Sequence, residues 1–188
     1  LPPPGSKAVS VATLSPTAAP FLKKGFPHVL KHDGEVDWEE YESIRPYSDP
    51  ALRSRAVAIG LAARMARAGM VAWSSEVHEH VSVFTVVKRS DEKGTSSRLV
   101  WDMRRVNCRF RPPPSTALAS PSALSYLELS DEVLGGREPF SFVGDVPDFF
   151  YRLELPLELA TWFGLQGVTA AEVFGVLQEQ GFADAMPA

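Results

Sequence analysis

Val81-Ser82-Val83-Phe84-Thr85-Val86-Val87 and Arg98-Leu99-Val100-Trp101-Asp102-Met103-Arg104-Arg105-Val106 are the two runs that decide the fold. Both are rich in β-branched and aromatic residues, which pack well on a pleated surface. Between them lies Ser90-Asp91-Glu92-Lys93-Gly94-Thr95-Ser96-Ser97, a polar loop supplied with turn-forming Gly, Asp and Ser. The pattern predicts an antiparallel hairpin. Along its second strand the two-residue period sets Arg98, Val100, Asp102 and Arg104 on one face and Leu99, Trp101 and Met103 on the other. Asp102 is placed to orient Arg98 or Arg104 through charge-assisted hydrogen bonds. An exposed strand face with cross-strand ion pairs gives the same pattern.

Upstream, Asp49 is a capping residue, Pro50 suits a first helical turn, and an Ala/Leu/Arg-rich stretch runs to Gly69, which together predict a helix. Ala56, Ile59 and Ala63 form its apolar stripe, while Arg53, Arg64 and Arg67 fall within about 60° on a 3.6-residue wheel. Those arginines are either a solvated face or phosphate contacts. Residues 21–47 mix Phe21, Phe26, Trp38 and Tyr41 with acids and read as an extended arm with one short turn. The first twenty residues, with Pro2-Pro3-Pro4-Gly5 and small Ser, Ala and Thr, read as a linker.

Downstream, Arg111-Pro112-Pro113-Pro114-Ser115 must leave the sheet, because three prolines remove three ladder donors. A short helix is expected around Ser122–Leu129. Phe140–Val146 reads as a buried strand delivering Asp145 at its end. Arg152–Leu155 and Thr161–Gln166 read as short strands, and Ala170–Glu179 as a helix ending at Gly181. The expected fold class is α+β, divided into a flexible or extended arm at 1–45, a helix and β-hairpin at 46–120, and a further α+β segment at 121–188.

Composition narrows the function classes. With 188 residues, 45% apolar and 22% charged, the chain can bury a core in one domain or slightly more. The net charge of −4 by itself argues against a polyanion partner. Its distribution reverses that inference. Residues 1–44 carry −2, residues 45–111 carry +7 from thirteen basic and six acidic side chains, and residues 112–188 carry −9. One cysteine, Cys108, allows no intrachain disulfide and suits an intracellular reducing compartment, nucleus or cytoplasm. No apolar run approaches the ~18 residues of a membrane span, so no membrane partner is expected. A chain that begins with Leu1 rather than Met is expected to be a piece of a longer protein.

The acidic centre is Phe142-Val143-Gly144-Asp145-Val146-Pro147-Asp148-Phe149-Phe150. A carboxylate held at the end of an apolar strand suits a hard, oxygen-preferring cation such as Mg²⁺, although Asp-x-x-Asp alone is as readily a turn or cap. His78-x-His80 lacks further ligands at metal spacing, Cys108 lacks a His/Asp companion, and Gly135-Gly136 lacks phosphate-loop spacing. Trp73, Trp101 and Trp162 read as core or core-margin residues, or as base-stacking platforms.

The order of these pieces resembles the fingers and first palm motif of retroelement (retrotransposon-type) reverse transcriptases. The helix ends in Ala68-Gly69-Met70-Val71. Then come Val83-Phe84-Thr85-Val86-Val87-Lys88-Arg89, Arg98-Leu99-Val100-Trp101-Asp102-Met103-Arg104-Arg105-Val106-Asn107, a proline stretch, and Phe140-Ser141-Phe142-Val143-Gly144-Asp145. The resemblance covers roughly residues 46–168 and implies a partial right-hand polymerase fold: fingers hairpin plus first half of the palm, incomplete at the C-terminus. It implies that Lys88 and Arg98 lie over the incoming triphosphate and that Asp102 and Arg104 support the fingers hairpin and template. Asp145 would be the first catalytic carboxylate, ligating Mg²⁺ together with the Val146 carbonyl. Asp148 would approach the triphosphate through its backbone, and Phe150 would lie beneath the sugar and favour deoxynucleotides. The implied partners are an RNA or DNA template-primer and a deoxynucleoside triphosphate. Phe149 stands where the family often has a small residue. The glycine-containing palm segment, the Tyr-x-Asp-Asp hairpin and the thumb are not recognisable in the 43 residues after Asp145. The chain alone is therefore expected to be an inactive fragment of an RNA-directed DNA polymerase. The alternative is a non-catalytic nucleic-acid-binding or interaction module derived from a retroelement.

Overall fold

The structure is a computed structural model of the 188-residue chain, and it describes residues 8–13, 16–91, 94–115, 122, 125–140, 144 and 149–182. It is α+β, with short helices and two small sheets. The chain divides into two compact units, one of Leu1–Arg111 with Asp148–Ala188 and the other of Pro112–Pro147.

In the first unit, strand β1 (Val9–Ser10) pairs in parallel with β4 (Leu153–Glu154). The main sheet has the order β3-β2-β5, formed from β2 (His80–Asp91), β3 (Gly94–Asp102) and β5 (Gly164–Leu165). The expected hairpin is present but longer than predicted. It is antiparallel with Ser82 opposite Asp102 and Val86 opposite Arg98, and pairing continues to Asp91 opposite Gly94. The loop is correspondingly shorter. Between Val87 and Arg89 the register slips by one, so Lys88 is the extra residue of a β-bulge.

The second strand stops at Asp102 rather than Val106. Arg104–Asn107 form a short helix (α3), and Asp102 accepts the Arg104 N–H at 3.2 Å as the chain turns. Strand alternation and the start of this turn look alike in sequence, which explains the four-residue overreach.

The predicted helix at 50–69 is two pieces. Pro50–Arg53 form a 3₁₀ turn capped by Asp49, which accepts the Ala51 N–H at 2.9 Å. After an extended Ser54, α2 runs Arg55–Arg67. Its buried stripe is Ala62, Ala63 and Ala66 with Ile59 beside them; Ala56 is exposed. The stripe packs on Val173 and Leu177 of a later helix, Ala170–Glu179, whose boundaries match expectation. That helix is fixed by a capping box in which Thr169 and Glu172 bond each other's backbone N–H groups. Gly181 follows it at φ +76°, a left-handed conformation that suits a residue with no Cβ.

The arm is not extended. Asp37 caps α1 (Trp38–Ser43), accepting the Glu40 N–H at 2.9 Å. Phe26, Val36 and Tyr41 are buried. The Tyr41 hydroxyl donates to both carboxylate oxygens of Glu79 at 2.7 and 2.8 Å, and the Arg105 guanidinium lies over its ring. Leu30 bridges Phe110, while the Arg111 N–H bonds the Val29 carbonyl. Nor are residues 8–13 and 16–20 plain linker, since they include β1 and 3₁₀ turns. Thr161–Phe163 form a 3₁₀ turn after the short helix Leu157–Ala160, leaving only Gly164–Leu165 of the predicted strand.

In the second unit Asp131–Leu134 form a short helix; of the helix expected around Ser122–Leu129, Ser122 is helical, residues 125–126 are a turn, and residues 123–124 lie outside the described residues. Tyr126, Leu127, Leu129, Val133 and Phe140 are exposed. Most of the predicted strand Phe140–Val146 lies outside the described residues.

Candidate nucleic-acid interface

The hairpin is organised around one carboxylate. Asp102 ends β3 with 7% of its surface exposed. Its Oδ2 accepts the Tyr47 N–H at 2.7 Å and Arg104 Nη2 at 2.7 Å, and its Oδ1 accepts Arg104 Nε at 2.9 Å and the Arg104 N–H. Of the two arginines the sequence offered, Arg104 is the partner. The forked Arg104 hydrogen bonds, helped by the two backbone N–H groups, hold the Asp102 carboxyl far below the ordinary carboxylate range despite its burial. Arg104 itself remains largely exposed, and its Nη2 also reaches the Arg45 carbonyl at 3.3 Å. The same carboxylate thus fixes a cation and the entry segment at Tyr47, whose ring meets Phe84 edge-on at 5.1 Å between centroids. Tyr47 has no sequence signal for this role, because the bond is made by its backbone N–H.

Further along the ribbon, Lys88 sits at the bulge and Arg98 lies opposite Val86; both are exposed. Thr85, Val86, Val87 and Ser97 beside them are exposed too. Phe150 lies in the 3₁₀ turn Phe149–Arg152; the residue is 81% exposed and its ring centroid is 5.6 Å from that of Phe149. Asp145, Val146 and Asp148 lie outside the described residues.

Much of the basic block is spoken for internally. Arg109 pairs with Asp33 at 2.9 Å, Arg111 pairs with both oxygens of Glu35 at 2.9 and 2.6 Å, and Arg55 pairs with Glu172. The acid-rich arm therefore supplies partners to the basic segment after the hairpin. Arg67 stacks on Phe182 at 3.6 Å. Arg53 lies in the 3₁₀ turn, so the wheel that grouped it with Arg64 and Arg67 does not apply across Ser54.

The remaining candidates take structural places. Trp73 packs on Phe174 at 4.7 Å, and Trp162 stands beside His78 and Phe110, both at the core margin. Cys108 is buried, and burial pushes its thiol pKa up, away from reactivity. Among the described residues no group of three or more His, Cys, Asp or Glu side chains is arranged to hold a metal ion. Nor is any described helix long and apolar enough to cross a membrane. Compared with protein-family models, curated proteins and solved structures, the chain matches none.

Proposed function

We propose that this chain is part of a retroelement-type RNA-directed DNA polymerase, carrying the fingers hairpin and the first palm motif. The observation that carries the reading is the β2–β3 ribbon with exposed Lys88 and Arg98 above a buried carboxylate, Asp102, that locks Arg104. Two cations on a projecting ribbon would offset the charge of an incoming deoxynucleoside triphosphate as it shifts to the leaving pyrophosphate. Arg104, preset by Asp102, would meet the phosphates of an RNA or DNA template. The exposed Phe150 ring would lie beneath the sugar. The Asp145 carboxylate and Val146 carbonyl are oxygen donors of the kind Mg²⁺ takes, and Asp148 would add a backbone contact to the triphosphate. The bound ion would supply charge stabilisation at the reacting phosphate.

The test is binding of a fluorescein-labelled template-primer by the 188-residue chain, read by anisotropy between 50 and 200 mM NaCl. Affinity is expected to fall with salt, and Arg104→Ala to lower the log–log slope by roughly 0.9 per lost phosphate contact. Absence of binding at 50 mM NaCl, or a slope unchanged in Arg104→Ala, refutes the reading. A second reading, a non-catalytic nucleic-acid-binding module, is favoured by the same exposed cations, because they require no metal. The two separate on nucleotide dependence. On poly(rA)/oligo(dT) with Mg²⁺, the polymerase reading predicts that dTTP tightens binding and that Arg98→Ala removes the effect, whereas a plain binding module responds to salt alone.

A further inference from the structure

Within the first unit, a half-open cleft of about 350 Å³ lies between the 3₁₀ turn Pro50–Arg53, α2, the start of β2 and the segment after β5. Its walls are mainly apolar, with Leu52, Ala58, Leu61, Val83, Leu165 and Val168 among them. Each of these except Val83 is only half-buried, so the cleft leaves apolar surface open to water. The polar lining includes the Ser82 hydroxyl, which donates to Gln166 Oε1 at 3.0 Å, and two arginines.

The arginines are not equivalent. Arg55 gives Nε and Nη2 to the Glu172 carboxylate and Nη1 to the Gly167 carbonyl, so its charge and its donors are used. These bonds, with those from Thr169, hold Glu172 down at a pKa of about 2, ionised at any working pH. Arg53, on the same lining, has no hydrogen-bond or ion-pair partner among the described residues. The cleft thus combines apolar walls with one uncompensated, permanently charged donor fork.

We propose that this cleft binds a small amphipathic anion, an apolar body of roughly seven to twenty heavy atoms ending in a carboxylate or sulfonate held by Arg53. The apolar walls disfavour a bare hydrated ion such as inorganic phosphate, and the free guanidinium disfavours a neutral or cationic ligand. The proposal does not rest on the polymerase reading, and its test uses no nucleic acid.

The experiment is titration of the full chain with 8-anilinonaphthalene-1-sulfonate, followed by displacement with octanoate and with 1-octanol. A saturable, one-to-one fluorescence rise is expected, with octanoate displacing the dye about tenfold more effectively than octanol. Arg53→Gln is expected to weaken dye and octanoate about tenfold and to erase the preference over octanol, while Arg53→Lys restores most of it. Ala58→Phe, which fills the cleft, should lower dye affinity at least as much. Circular dichroism and the urea midpoint verify folding; if Ala58→Phe does not fold, the two Arg53 variants decide. Undiminished binding in Arg53→Gln, or equal displacement by octanol, overturns the proposal.

Discussion

Replacing Asp102 with Asn keeps the size and shape of the side chain while removing its charge and half its acceptor capacity. In the native protein four donors converge on the carboxylate: Arg104 Nε, Arg104 Nη2 and the N–H groups of Tyr47 and Arg104. An Asn amide orients one oxygen toward these donors and turns an NH₂ group toward others, so at least one N–H faces another donor. The Asp102 side chain is 4% exposed and the Arg104 side chain 62%. Water therefore re-solvates the freed guanidinium more readily than the Tyr47 N–H, whose bond to Asp102 is part-buried. A fully buried broken pair would cost about 3–5 kcal/mol; with Arg104 exposed, the expectation is about 2 kcal/mol, or roughly 4–8 °C in thermal midpoint for a chain of this size.

The assay is urea unfolding of both proteins by circular dichroism at pH 7 and repeated toward pH 3, with an Arg104→Ala arm to complete a double-mutant cycle. The pH series carries a sign. Because the folded-state pKa of Asp102 lies below its ordinary 3.8, its stabilisation is present above that value and is lost as pH falls through the folded pKa. The gap between wild type and Asp102→Asn must therefore narrow on acidification below about pH 4. An Asp102→Asn protein within 0.5 kcal/mol of wild type at pH 7, or a gap that stays constant to pH 3, would refute the reasoning.

Leu177→Ala should cost about 2–5 kcal/mol in urea unfolding, because Leu177 is 0% exposed in the contact between α2 and the helix Ala170–Glu179. Gly164→Ala should cost about 1–2 kcal/mol, since an added Cβ would collide with Val77 Cγ1 and lie 3.1 Å from the Glu79 carbonyl oxygen; Val77→Ala in the same chain should recover most of that loss in a thermal melt. Tyr41→Phe removes the hydroxyl that donates to Glu79 and should lower the urea midpoint by about 1 kcal/mol equivalent without changing the far-ultraviolet spectrum.

What was legible in the sequence was local. Thr169-x-x-Glu172 before an apolar run, with Gly181 beyond it, marks the last helix within the chain itself, and Asp49-Pro50 marks the earlier start. The hairpin was legible because its apolar alternation and polar turn agree. The arm was not. Its burial comes from three scattered side chains, Phe26, Val36 and Tyr41, and from ion pairs to residues 76 positions away, Asp33 to Arg109 and Glu35 to Arg111. No window of sequence contains both halves of such a contact. The bulge at Lys88 has the same character, because an extra residue is defined only relative to a partner strand. At the candidate site, Asp102 was legible with two possible partners, Arg98 and Arg104, and the turn after β3 selects Arg104. The third member, Tyr47, contributes only a backbone N–H, a group every non-proline residue has.

The folded arm also governs which version of the protein can be trusted in a binding assay. A shortened chain starting at Pro46 would discard Asp33 and Glu35 while keeping Arg109 and Arg111, and would uncover the surface that Phe26, Val36 and Tyr41 occupy. Two guanidinium groups now neutralised within the protein would become free ligands for any polyanion. Heparin or nucleic-acid retention by that trimmed protein would then be an artefact of the cut, reporting the arm's missing acids instead of Lys88 and Arg98.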